Sequence, residues 1–174
     1  MNNERGFSLT ELLIVVAILG FMMGGLFTLQ RQGQLAYMVG AARVEVQQNG
    51  RIAIDSMMTE IRSALAINAY PASCNSVAGG TTITFNDQNG VATTYSLAGT
   101  NLNRTVGGVA TTVIGGVQSL RIWCYNTSDV LTANLADIRT IRVQVTTRTE
   151  RGAVANSPGD QRAVAEGRVR LRNI

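Results

Sequence analysis

From Leu12 to Leu29 the chain is apolar at every position except Thr28, and this run constrains the fold more than any other feature. As a helix at 1.5 Å per residue it spans about 27 Å, close to the hydrocarbon thickness of a bilayer. Glu11 stands at the edge of the run, four residues after Phe7 and on the same helical face. A carboxylate at bilayer depth costs on the order of 2.5–3.5 kcal/mol on insertion scales and signals a partner. The competing reading is an ordinary secretory signal peptide, with Arg5 as its charged region and Leu12–Leu29 as its apolar core. No A-x-A-like cleavage site follows the run, and such a segment has no use for Glu11.

The stretch Arg5-Gly6-Phe7-Ser8-Leu9-Thr10-Glu11-Leu12-Leu13 resembles the processing site of type IV prepilins and the related secretion pseudopilins. The resemblance implies cleavage between Gly6 and Phe7 by a membrane prepilin peptidase, N-methylation of Phe7, and export with the apolar helix retained. Residues 1–6 are then a leader, and residues 7–29 a transmembrane and filament-core helix. In this family the Glu11 carboxylate of an incoming subunit meets the Phe7 amine of its neighbour. The spacing supplies a physical reason, because two opposite charges that are each costly in lipid neutralise one another. An intramolecular pair satisfies the same spacing.

The chain has 174 residues, of which 45% are hydrophobic, enough after the first helix for one soluble domain with a moderate core. Its net charge of +4 survives removal of the leader, which carries one acid, Glu4, and one base, Arg5. All fifteen basic residues are arginine, through bidentate contacts to carboxylates or phosphates or through codon usage. In an exported domain Cys74 and Cys124 most simply form one disulfide closing a loop of about 50 residues, worth roughly 4 kcal/mol. Two buried free thiols are the alternative. Histidine is absent, so a zinc set and the Ser–His and Cys–His nucleophile pairs are unavailable. Neither an enzyme nor a cofactor is expected.

Between Gln30 and Ala66 the apolar residues Leu35, Met38, Val39, Ala42, Val46, Ala53, Met57, Ile61, Ala64 and Leu65 recur at helical spacing, which predicts an amphipathic continuation over 30–66. One helix from Phe7 to that point is about 90 Å long. Six glycines interrupt it, and each costs on the order of 1 kcal/mol relative to alanine. Gly20 and Gly24 match the G-x-x-x-G pattern of close helix approach in membranes. Filaments of the resembled family unwind locally here, usually near a proline, and the Gly24-Gly25 pair is the candidate for that role.

Residues 67–174 form the expected globular β-rich domain. Ile83 and Phe85 alternate into a turn at Asp87-Gln88-Asn89-Gly90, and Val91–Leu97 returns as the second strand of a hairpin. In Val117–Tyr125, Leu120, Ile122 and Cys124 share one face. Ile141, Val143 and Val145 mark a further strand, and Val169 and Leu171 a last one, with Arg168, Arg170 and Arg172 pointing away from them. The predicted class is α+β and pilin-like, a long N-terminal helix packed on an antiparallel sheet.

The runs Tyr95-Ser96-Leu97, Leu102-Asn103-Arg104, Gly116-Val117-Gln118-Ser119-Leu120, Ile141-Arg142-Val143-Gln144-Val145 and Val169-Arg170-Leu171-Arg172-Asn173 are similar to PilW-type minor pilins. J-type minor pseudopilins of type II secretion share the layout. The resemblance implies a subunit of a priming or tip complex that supports motility, adhesion or DNA uptake. It also implies as partners other minor and major pilins, the prepilin peptidase and N-methyltransferase, the inner-membrane assembly platform, and lipid before assembly. The implied location is the inner membrane with a periplasmic domain, then the filament. A second function class comes from charge: eight of the fifteen arginines fall in the last 36 residues, opposed only by Glu150, Asp160 and Glu166. A stripe of Arg168, Arg170 and Arg172 is a candidate contact for DNA phosphates or, more plainly, a solvated strand face.

Overall fold

Helix α1 runs unbroken from Leu9 to Arg62, through all six glycines. The structure, a computed structural model, describes residues 7–69, 74, 78–150 and 157–172. It divides into two compact units, Met1–Gly40 and Ala41–Ile174. In the first unit the described residues are helical from Leu9 onward, and every side chain from Phe7 to Met38 is exposed.

The second unit has α+β, pilin-like architecture: the rest of α1, then strands in two antiparallel sheets. The helix ends four residues before the expected boundary at 66. Backbone bonds from Ser63 to Glu60 (3.2 Å) and from Ala64 to Ile61 (3.2 Å) tighten its last turn. Leu65 N–H then donates to Asn86 O at 3.0 Å and opens β1 (Ala66–Ala69). Strand β1 starts a five-stranded meander with β2 (Thr82–Asn86), β3 (Ala92–Ala98), β4 (Asn101–Val106) and β5 (Val109–Ile114). The second sheet has three strands, β6 (Val117–Tyr125), β7 (Thr140–Arg148) and β8 (Arg162–Arg170).

Gly116 explains why there are two sheets where one was expected. It has φ +66°, and an added Cβ would lie 2.5 Å from Arg148 O, so the chain can turn from β5 into β6 only without a side chain there. Across the seam Val117 N–H donates to Thr100 O (2.9 Å), and Gly80 bridges Ile122.

On α1, Ala42, Val46, Ala53, Ile54, Met57, Met58 and Ile61 are buried, while Leu35 and Met38, which share the spacing, are exposed. The helix meets the three-stranded sheet over small residues: an added Cβ at Gly50 would lie 3.1 Å from Ala165 Cβ. The buried Thr147 hydroxyl donates to Val46 O at 2.7 Å, pairing a polar group that would otherwise be costly at this interface. Ile83, Phe85, Tyr95, Leu120, Ile122, Ile141, Val143 and Val145 fill the core from the sheets. The expected disulfide is present: Cys74 and Cys124 are joined, with Cα atoms 5.5 Å apart.

Candidate assembly site

The first turn of α1 is built as a cap. Ser8 precedes the helix, its carbonyl accepts from Leu12 N–H (3.2 Å), and its own N–H donates to Glu11 Oε2 at 3.0 Å. This is the returning half of a capping box, in which the third helical residue reaches back to the N-cap backbone, and such caps are worth about 1 kcal/mol. The Ser8-x-x-Glu11 pattern of such a cap is legible in the sequence. Among the described residues Glu11 Oε1 accepts no hydrogen bond. Phe7 is 87% exposed. Gly6, the other residue of the expected cleavage pair, lies outside the described residues.

Beyond Glu11 the helix is apolar and exposed all round, and it is long and apolar enough to cross a membrane. A helix apolar on every face belongs in lipid or among other helices. Ala17, Gly20, Phe21, Gly24, Gly25 and Thr28 line a shallow notch on this surface. The Thr28 hydroxyl donates to Gly25 O (2.7 Å), so the one polar side chain of the run is satisfied within its own helix.

In the second unit most strand arginines are engaged. Arg104 Nε donates to Glu60 at 2.9 Å, and Glu60 Oε2 also accepts from the buried Tyr95 hydroxyl at 3.0 Å. Burial, reinforced by the Glu60 charge, pushes Tyr95 up to about 12. Arg142 forks onto Glu166 (2.6 and 2.8 Å) and lies 5.0 Å over the Trp123 ring. The Arg142 hydrogen bonds hold the Glu166 carboxyl below its usual range, and the same pair raises Arg142. Arg148 forks onto the buried Asp160 (2.6 and 3.1 Å). The arginines of the predicted C-terminal stripe separate: Arg168 pairs with Asp129 and lies over the Tyr125 ring, whereas Arg170 and Arg172 line a cleft with Arg62 and Arg139. Among the described residues no group of three or more His, Cys, Asp or Glu side chains is placed to hold a metal ion.

Residues 1–27 match the family model described as the prokaryotic N-terminal methylation motif. A comparison with curated proteins returned no match. Together the motif, the membrane-competent helix and the α+β second unit support a prepilin-like protein of the type IV pilin or pseudopilin class. Such a motif implies processing by prepilin peptidase, anchoring by a single membrane pass, and a structural role in assembly with other pilins.

Proposed function

We propose that the chain is a PilW-type minor pilin, a low-abundance subunit of a type IV pilus priming or tip complex that supports motility, adhesion or DNA uptake. The observation that carries this reading is the apolar helix, exposed on every face and headed by a carboxylate whose second oxygen has no partner among the described residues. Held in the inner membrane, with residues 1–6 as a cytoplasmic leader and the β-rich domain in the periplasm, it satisfies that surface with lipid. Built into a filament, it satisfies the same surface with other pilin helices, and Glu11 meets the Phe7 amine of a neighbour. Major pilins commonly close a C-terminal loop with their disulfide. Here the bridge joins Cys74 to Cys124 on β6, the first strand of the three-stranded sheet, with β7 and β8 still to follow, which favours a minor subunit.

Intact-mass measurement on the protein from its native host tests the processing on which this role depends. The expected mass is that of a chain beginning at Phe7 and carrying one extra methyl group. A chain beginning beyond Leu29 would restore the signal-peptide reading.

A further inference from the structure

Four arginines converge where α1 and β8 end and β7 begins. Arg62 is the last residue of α1, Arg139 immediately precedes β7, Arg170 is the last residue of β8, and Arg172 follows two residues later. With Thr127 and Leu171 they line a cleft of about 810 Å³. Its geometry follows from the strand register: Thr140 pairs with Arg170, and Leu171 N–H donates to Arg139 O at 2.9 Å, which fixes the ends of β7 and β8 side by side. The Arg139 guanidinium is itself held, donating through Nη1 to Ala136 O (2.8 Å) and Ile138 O (3.0 Å).

Positive charge is concentrated in this cleft. Arg104, Arg142, Arg148 and Arg168 each have a carboxylate within salt-bridge distance. Among the described residues the four arginines of the cleft have none, and no acidic side chain lines it. The C-terminal end of α1 contributes a partial negative charge of about half a unit, far short of four positive ones. A cluster kept only for packing would be expected to carry its own counter-charge, as the neighbouring pairs do.

We propose that this cleft binds the phosphate backbone of a nucleic-acid strand. Guanidinium groups match phosphate oxygens bidentately, and a nucleic acid carries its charges at a density that can neutralise four arginines at once. A folded protein presents carboxylates singly among other side chains, and so matches this density poorly. Anionic lipid fits poorly as well, because among the described residues the one apolar side chain of the lining, Leu171, is itself buried and offers no surface to acyl chains. Among the described residues the lining contains no aromatic ring and no amide side chain to read a base edge, which favours recognition of the backbone over base sequence. The site differs from the strand stripe expected from sequence: Arg168 pairs with Asp129, while Arg62 and Arg139 join Arg170 and Arg172. It stands on the cleft alone and does not depend on the pilus reading.

The test uses the full chain in uncharged detergent micelles and a fluorescent single-stranded oligonucleotide of mixed sequence. Arg62→Gln with Arg172→Gln should lower affinity at low salt about tenfold or more and reduce the slope of log K against log salt by about 1.4, two phosphate contacts at about 0.7 each. Arg43→Gln with Arg51→Gln removes the same charge from exposed positions elsewhere on α1 and should leave affinity within about twofold. Circular dichroism establishes that each variant is folded, and Arg172→Gln alone, which alters a residue beyond β8, serves if the double variant is not. Equal losses in the two double variants, or no oligonucleotide binding by the wild type, would overturn the proposal. So would displacement of the oligonucleotide by polyglutamate at equal charge, which indicates an acidic protein partner, or by phosphatidylglycerol added to the micelles, which indicates lipid.

Discussion

Gly167 of β8 lies directly beneath Ile54 of α1: a Cβ on this glycine would stand 2.7 Å from Ile54 Cγ2 and 2.9 Å from Met58 Cγ. The close approach lets Ile54 and Met58 bury against the strand backbone, and it makes the position intolerant of a single added methyl. Gly167→Ala should therefore destabilise the domain by about 1–3 kcal/mol through overpacking, whatever alanine gains in strand propensity. Thermal unfolding of the solubilised chain, followed through near-ultraviolet dichroism, reads the change. An unchanged midpoint would mean that the helix does not sit this close to β8.

The disulfide carries a second expectation. Cys74 and Cys124 are 50 residues apart, and closing a loop of that length constrains the unfolded chain by about 4 kcal/mol in the chain-entropy model. Unfolded, unreduced mature protein should show no titratable thiol. Replacing both cysteines by alanine should lower the free energy of unfolding by a comparable amount, with some further loss because both side chains are buried.

Tyr95 gives the domain an alkaline limit. Its folded-state pKa, about 12, exceeds the ordinary 10.0, so the protonated phenol favours the fold below pH 10 and that contribution is lost as pH rises toward 12. Tyr95→Phe removes the hydrogen bond to Glu60 and should cost about 1–1.5 kcal/mol near neutrality. The variant should also lack the steep alkaline loss, so the two stability curves converge between pH 10 and 12. Curves that stay parallel over this window would place the Tyr95 hydroxyl in solvent.

Strands β6 and β7 were legible because Leu120, Ile122 and Cys124, and then Ile141, Val143 and Val145, alternate cleanly and all six are buried. The hairpin of β4 and β5 was not. Val109 to Thr112 are exposed on both faces, so burial imposes no apolar alternation, and the signal reduces to Gly107-Gly108, whose φ values of +56° and +87° suit a two-residue hairpin turn. Strand β1 was hidden because Ala64 and Leu65 keep helical spacing past the true end at Arg62. The pairing of Arg62 with Arg139 was not legible for a different reason. They lie 77 positions apart in sequence (139 − 62) and come together only when α1 lies on the sheet. At the N-terminus the methylation motif matched over residues 1–27 was readable, but the use of Glu11 as a cap needed the observed bond to Ser8.

Glu11 separates the central claim from its nearest rival, a residue that only caps a helix. Glutamine retains a side-chain carbonyl that can accept from Ser8 N–H, as the capping box permits, but it removes the charge that would meet the Phe7 amine of a neighbouring subunit. The most direct measurement compares the Glu11→Gln and wild-type chains, as cleaved protein in the membrane fraction and as protein in sheared filaments. Cleaved membrane protein at wild-type level with at least about a tenfold loss from filaments is the predicted result, since an ion pair in a low-dielectric core exceeds the 1.4 kcal/mol that a tenfold change represents. Equal incorporation of the Glu11→Gln chain would contradict the account, leaving Glu11 as a helix cap and no more.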